Sequence, residues 1–113
     1  MLSAMLWFRA DPADADAVAD LLRPVASALA ARMPVRFGCR HAEDRPYRTW
    51  MLDAGPVAPE DYDALLYRLH RLVRTPAFKA LVQGEAQIES FAWQSIESPD
   101  LSPDPSRSPD PCA

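Results

Sequence analysis

The sequence predicts an α+β domain whose elements follow in the order strand, helix, strand, strand, helix, strand. Two segments, one after Asp11 and one after Ala58, carry apolar residues at helical spacing. Four shorter segments carry consecutive or alternating apolar residues, and Asp11-Pro12 and Gly55-Pro56 end two of them. The hydrophobic fraction of 49% and the charged fraction of 25% are those of a globular protein.

The first strand and the first helix meet at a clear boundary. Residues 2–10 predict a strand, because residues 5–8 are all apolar and Asp11-Pro12 ends the run. Asp11 suits the N-cap of a helix that we expect to reach about Arg32. Pro24 lies inside that helix. Since an interior proline removes a backbone hydrogen bond, we expect a kink or a break just before it.

The middle of the chain predicts a hairpin. Residues 35–41 alternate apolar and polar side chains, which is typical of a half-exposed strand. Cys39 belongs to the apolar face of this strand and is expected to be a small buried hydrophobe. A loop over 42–46 leads to a second strand over 47–54, which Gly55-Pro56 ends.

The last part of the chain repeats the helix and strand pattern. Pro59 and two acidic residues open the second helix. Its expected buried stripe is Tyr62, Leu65, Leu66, Leu69, Leu72 and Val73. Thr75-Pro76 ends this helix and caps a short one over 77–82, which Gly84 closes. Residues 87–94 form the last expected strand.

This element order is the ferredoxin-like βαββαβ arrangement, with a four-stranded antiparallel sheet and both helices on one face. The first and third strands are then central, yet both carry apolar residues on two faces. An exposed apolar sheet face is usually an interface, and a second copy is the simplest cover. We therefore expect a homodimer through the open face of the sheet.

The sequence divides into a domain over 1–94 and a Pro/Ser/Asp-rich tail over 95–113, which we expect to be disordered. The domain carries eleven basic and twelve acidic side chains, and the tail supplies most of the net charge of −4. A nearly neutral domain with an acidic tail does not favour nucleic acid or an anionic membrane as a partner. The absence of a signal-peptide pattern and the low cysteine count favour the cytoplasm.

Three runs of the sequence resemble an uncharacterised bacterial domain-of-unknown-function family within the dimeric α/β-barrel superfamily. They are LWFRADPADADAVADLL, YRTWMLDAGP and AFKALVQGEAQIESFAW, and they reach across nearly all of residues 4–93. The resemblance implies a dimer and a pocket between sheet and helices. Better-known members of the superfamily include small monooxygenases, muconolactone isomerases and haem-handling enzymes, but a shared fold does not transfer a function.

Aromatic and charged side chains on the predicted strands form the candidate ligand cleft. Pockets for flat ligands are often lined by such aromatics, with a few polar groups at the margin. The alternative is that the same aromatics form the core of the dimer interface. The candidate residues are Trp7, Arg9, His41, Tyr47, Trp50, Glu89 and Trp93.

No catalytic residue is assigned from the sequence. His41 ends a predicted strand and is the best candidate acid or base, but no second ligand or carboxylate stands at a metal or triad spacing from it. His70 is expected at a solvated position on the second helix. We expect no metal and no cofactor.

Three functional hypotheses follow. The favoured one is a dimeric binding or structural module without catalysis, with a possible cleft for a small aromatic or acidic ligand. The second is a cofactor-independent monooxygenase-like or isomerase-like enzyme, in which Trp50 and Tyr47 hold an aromatic substrate and His41 moves a proton. The third is an adaptor that docks a partner through its tail.

Overall fold

The computed structural model describes residues 1–96, so the predicted tail lies outside the described residues from position 97 onward. A 3-10 turn, Pro12–Asp14, precedes the first helix. The strands are β1 (Leu2–Ala10), β2 (Val35–Cys39), β3 (Arg48–Val57) and β4 (Val82–Ala92). The helices are α1 (Ala15–Ala30), α2 (Pro59–Val73) and α3 (Pro76–Leu81).

The four strands form one antiparallel sheet in the order β2-β3-β1-β4. β1 and β3 are therefore central, as the sequence predicted. β1 pairs with β3 through Leu6 opposite Leu52, and with β4 through Leu6 opposite Ile88. The ferredoxin-like α+β fold is confirmed.

The core lies between one face of this sheet and the helices. Leu6 and Phe8 of β1 are at most 1% exposed and share their face with Leu52 of β3. Helix residues cover that face, and the Phe78 ring of α3 meets the Phe8 ring edge-on, with ring centroids 4.8 Å apart. Burying each large side chain contributes about 1.5–3 kcal/mol. The buried helix residues are Val18, Leu22, Ala26, Leu29, Tyr62, Leu65, Leu69, Leu72 and Phe78.

Two predicted caps are confirmed. The Asp11 carboxylate accepts a hydrogen bond from the backbone N–H of Ala13 at 2.9 Å and so begins the 3-10 turn. The Thr75 hydroxyl donates to the carbonyl of Leu72 at 2.7 Å and accepts from the N–H of Phe78 at 3.3 Å. The single hydroxyl of Thr75 therefore pairs a free carbonyl at the end of α2 and a free N–H at the start of α3.

Of the kink or break predicted before Pro24, the break is wrong, because α1 runs without interruption from Ala15 to Ala30. A proline ring displaces the carbonyl of the residue four positions earlier, here Asp20. Both Pro24 and Asp20 are exposed, so water can hydrate the carbonyl that loses its helical partner. The core-facing residues of the helix keep their positions.

The predicted end of the second hairpin strand is also wrong. β3 continues through Gly55-Pro56 to Val57, which pairs with Leu2 across a register irregularity. Gly55 has φ +117°, and a Cβ at this position would lie 2.8 Å from the Ser3 hydroxyl oxygen. Glycine thus lets the two strands stay in close contact where other residues would end the pairing.

The last strand starts earlier than predicted. β4 begins at Val82, and Gly84 lies inside it with φ +75° instead of closing α3. Gly84 coincides with a register irregularity, since Trp7 pairs with Gln87 but Arg9 pairs with Gln83. A bulge with glycine in a left-handed conformation lets β4 continue pairing on both sides of it.

Cys39 is exposed, so its expected burial is wrong. It is the last residue of β2, an edge strand, and even its neighbour Phe37 is only half-buried. The helices cover the centre of the sheet and leave this corner open to solvent.

Within residues 1–96, none of the helices has the length and apolar character needed to cross a membrane.

Candidate interface on the open sheet face

The open face is the sheet face opposite the helices. Strand alternation places on it every second residue of each strand, starting from Met5 of β1 and Met51 of β3. Large apolar side chains remain accessible on this face: Met51 is 41% exposed, Phe91 is 38% exposed and Trp93 is 53% exposed. The main open-face residues are Ser3, Met5, Trp7, Arg9, Arg36, Gly38, Thr49, Met51, Asp53, Gln87, Glu89 and Phe91.

Phe91 and Trp93 form what we call the aromatic corner. Their rings stack with centroids 6.1 Å apart and an interplanar angle of 27°. The indole N–H of Trp93 donates to the Ser3 hydroxyl at 2.8 Å, and the Trp93 backbone N–H donates to the carbonyl of Met1 at 2.9 Å. These bonds hold the indole in place against the start of β1, and Ser3 beneath it is only 2% exposed.

A second aromatic group lies nearer the centre of the open face. The indole N–H of Trp7 donates to the Glu89 carboxylate at 3.3 Å, across the β1–β4 pairing. The Arg9 guanidinium lies over the Tyr47 ring, 4.5 Å from its centroid, which is a cation–π contact. These two contacts join four of the residues predicted for the ligand cleft.

Glu43 fixes the loop between β2 and β3 at the edge of this group. Its carboxylate accepts hydrogen bonds from the N–H of Thr49 at 2.6 Å and from the Thr49 hydroxyl at 2.9 Å, and it pairs with Arg40 at 3.4 Å. Desolvation alone would raise the pKa of Glu43. The two Thr49 hydrogen bonds and the charges of Arg40 and Arg9 outweigh it, so the pKa of Glu43 lies below its ordinary value of 4.5.

A shallow depression of about 370 Å³ lies over β2 and the adjoining part of β3. We call its centre the notch, formed by Gly38 between Arg36 and Arg40, with Met51 opposite. Arg36 is bonded to Asp53 at 3.1 Å, so one wall of the notch is an ion pair. The depression therefore has both apolar and charged lining.

The predicted cleft residues do not all share one surface. Trp7, Arg9, Tyr47, Glu89 and Trp93 belong to the open face or its margin, as the contacts above show. Trp50 pairs with Phe8 and so lies on the helix-covered face, 6% exposed. Its buried indole N–H has no hydrogen-bond partner among the described residues. His41 is exposed in the loop after β2.

Sequence reasoning missed several residues that shape the open face. Met51 alternates with Leu52 along β3, but the run of apolar residues over 50–52 does not show which of the two faces the helices. Ser3 and Glu43 gave no signal, since their contacts with Trp93 and Thr49 join residues 90 and 6 positions apart. Gly38 stands between Arg36 and Arg40 among the polar positions of an alternating strand, and this pattern does not indicate a depression.

The acidic side chains of this surface are paired. The acidic side chains described above are each engaged with an arginine, a threonine or an indole N–H. Among residues 1–96, no group of three His, Cys, Asp or Glu side chains is placed to hold a metal ion. The arrangement suits binding and packing.

The fold and the open face define the class of protein: a ferredoxin-like α+β domain with one sheet face left uncovered. No protein-family model matches the sequence, and no curated protein is similar enough in sequence to count as a relative. Solved structures do match its fold.

A protein of unknown function from Nitrosomonas europaea matches with a TM-score of 0.54 and 20% identity, over 87% of this chain and 93% of that one. A protein from Arabidopsis thaliana matches with a TM-score of 0.51 and 8% identity, over 87% of this chain and 100% of that one. An antibiotic biosynthesis monooxygenase matches with a TM-score of 0.49 and 12% identity, over 84% of this chain and 100% of that one. At these identities the likeness concerns the fold alone, and it agrees with the ferredoxin-like α+β fold described above.

Proposed function

We propose that this protein is a homodimeric binding or structural module without catalysis of its own, whose two copies pair through the open face. The observation that carries the proposal is the exposure of Met51, Phe91 and Trp93 on one sheet face. Large apolar side chains grouped on one surface mark an interaction site. The helices already cover the other face, so a partner is the remaining way to remove these side chains from water.

The size of the open face supports a second copy as that partner. The four strands contain thirty-five residues, and each occupies roughly 16 Å² of sheet at the usual strand rise and spacing. The flat footprint is then roughly 550 Å², and side-chain relief raises the accessible area toward the approximately 800 Å² per partner of a standard interface.

The charges of the open face and its margin also suit self-association. Three arginines and three carboxylates lie there, so the surface is close to neutral and holds both signs. A like-charged face would repel its own copy, whereas a mixed one can align opposite charges across a two-fold axis. The charged residues are Arg9, Arg36, Arg40, Glu43, Asp53 and Glu89.

The placement of the predicted cleft residues supports a module more than an enzyme. Trp50 faces the helices while Tyr47 contacts Arg9, so the two residues expected to hold an aromatic substrate lie on different faces. A small aromatic ligand would instead bind on the open face, beside Trp7 and Arg9. The adaptor hypothesis concerns the predicted tail, beyond the described residues, and it stays a prediction, as does a cytoplasmic location.

The test is Met51→Glu, measured by light scattering and sedimentation. Burying an unpaired carboxylate in the interface costs several kcal/mol, so we expect the dimer to weaken by about 100-fold or more while the circular dichroism spectrum is kept. Tyr67→Glu is the control, because Tyr67 is 64% exposed on the helix side. It should leave the dimer intact. A wild-type chain that is monomeric at high micromolar concentration would refute the proposal.

A further inference from the structure

We infer that the two copies interlock, with the aromatic corner of each inserted into the notch of the other. This inference rests on the proposed dimer and specifies its geometry. The two surfaces lie at opposite ends of the open face: Phe91 and Trp93 are 38% and 53% exposed at one end, and the notch is a depression at the other.

Gly38 is the residue that makes the notch. A Cβ at Gly38 would meet nothing within 4 Å, so the isolated subunit has room for a side chain there. Its φ is not positive, unlike that of the two other glycines. Glycine inside a strand is less favourable than alanine, and it often marks the close approach of another group. A partner's ring provides such a group.

The walls of the notch suit an aromatic ring. Met51 supplies an apolar contact, and sulfur next to an aromatic ring is favourable. The Arg40 side chain is 63% exposed and can lie against an indole as a cation–π contact. The aromatic corner is already held by the Ser3 hydrogen bond, so its insertion loses little side-chain entropy.

Sheet register places notch and corner at opposite ends of one diagonal. Gly38 is level with Met51 and Trp7, whereas Phe91 is level with Ser3, four residues away along β1. This is a shift of about 13 Å along the strands. β2 and β4 are three strand spacings apart, or about 14 Å across the sheet.

A two-fold axis that exchanges these two positions must lie in the plane between the sheets, perpendicular to that diagonal. Because the two shifts are nearly equal, the axis makes about 45° with the strands, and the strands of the two sheets cross at about 90°. This is orthogonal sheet packing, one of the two common arrangements. The axis passes near the paired residues Met5 and Asp53 at the middle of the face.

Disulfide cross-linking tests the contact directly, in full-length protein carrying Cys39→Ser and Cys112→Ser. Gly38→Cys combined with Phe91→Cys should give a covalent dimer on mild oxidation. The two positions are about 19 Å apart within one copy, too far for an internal bond. Gly38→Cys with Gln87→Cys is the matched control, since Gln87 lies on the same strand and face, about 13 Å from Phe91. It should not cross-link.

A second variant uses the empty space at Gly38. Gly38→Leu should fit the isolated subunit but occupy the notch, so the dimer should weaken by about 10-fold or more while the fold is kept. Adding Trp93→Ala should make the effect of Gly38→Leu smaller, because no ring then enters the notch.

Light scattering on the same samples separates the possible failures. Dimers that cross-link only in the control pair, or that tolerate Gly38→Leu unchanged, would overturn the interlock and leave the sheet-face dimer standing. A monomeric wild-type chain would overturn both.

Discussion

The two faces of β1 are built from alternate residues of one strand, yet they have different environments. Leu6 and Phe8 are 0% and 1% exposed under the helices, whereas Met5 and Trp7 on the open face are only half-buried. All four are large and apolar. The difference teaches that residue type alone does not show which face of a strand the helices cover, because both faces of β1 carry large apolar side chains.

The largest expected loss of stability comes from a substitution on the helix-covered face of β1. Leu6→Ala should lower the free energy of unfolding by about 2–5 kcal/mol, because it leaves a cavity in a filled core. Met5→Ala removes a half-buried side chain and should cost about 0.7–1.5 kcal/mol in the isolated subunit, about half of the value for a fully buried one. Urea denaturation at several protein concentrations checks both values.

The dependence of these losses on protein concentration separates the two faces further. The loss in Leu6→Ala should be the same at every protein concentration, whereas the loss in Met5→Ala should grow as the dimer forms. Equal, concentration-independent losses in both variants would mean that Met5 belongs to the core of the subunit.

A middle-sized effect is expected at Gly55, where the end of the open face is itself tightly packed. Gly55→Ala combines a positive φ with a contact of 2.8 Å to Ser3, whereas Gly84→Ala has a positive φ and open space. A non-glycine residue at positive φ costs about 1–2 kcal/mol, so Gly84→Ala should lose about that much. Gly55→Ala should lose clearly more in the same denaturation assay. Equal losses would show that the Ser3 contact relaxes easily.

The smallest expected effect concerns the pH dependence at the margin of the open face. The pKa of Glu43 is below 4.5 in the folded protein, so the ionised carboxylate stabilises the fold above pH 4.5. This contribution should disappear as the pH falls from 4.5 through the pKa of the folded state. Glu43→Gln should therefore flatten the decline of stability below pH 4.5, as measured by thermal unfolding at a series of pH values.

Asp44→Asn is the control for Glu43, since Asp44 is exposed in the same loop. It should keep the acid sensitivity of the wild type. An Asp44→Asn profile as flat as that of Glu43→Gln would assign the effect to the general charge of the loop.

Several features of the fold could be predicted from local patterns. The stripe on α2 and the caps Asp11 and Thr75 depend on residues within one or two helical turns, so the sequence displays them directly. The element ends predicted at Gly55 and Gly84 are wrong, because they depend on pairing with another strand. Both glycines usually signal a stop, but here pairing with β1 continues across them.

The candidate site was predictable only in part. Trp7 and Glu89 are both predicted for the ligand cleft. The structure brings them together, with the indole N–H of Trp7 3.3 Å from the Glu89 carboxylate. Trp50 was assigned to the same cleft, but its pairing with Phe8 puts it on the other face. A shift of one residue reverses the face of every side chain in a strand, so apolar runs without alternation leave this choice open.

The sequence by itself determined the order of elements, the amphipathic helices and the presence of large apolar side chains on both faces of the central strands. Periodicity and turn chemistry act over a few residues, so they can be identified in the sequence. Only the tertiary structure decided which aromatic residues face the helices, that Glu43 binds Thr49, and that Gly38 leaves a notch opposite the aromatic corner. The first and the last depend on strand register, and the Glu43–Thr49 contact depends on the path of the loop between β2 and β3, so the periodic pattern of the sequence does not show them.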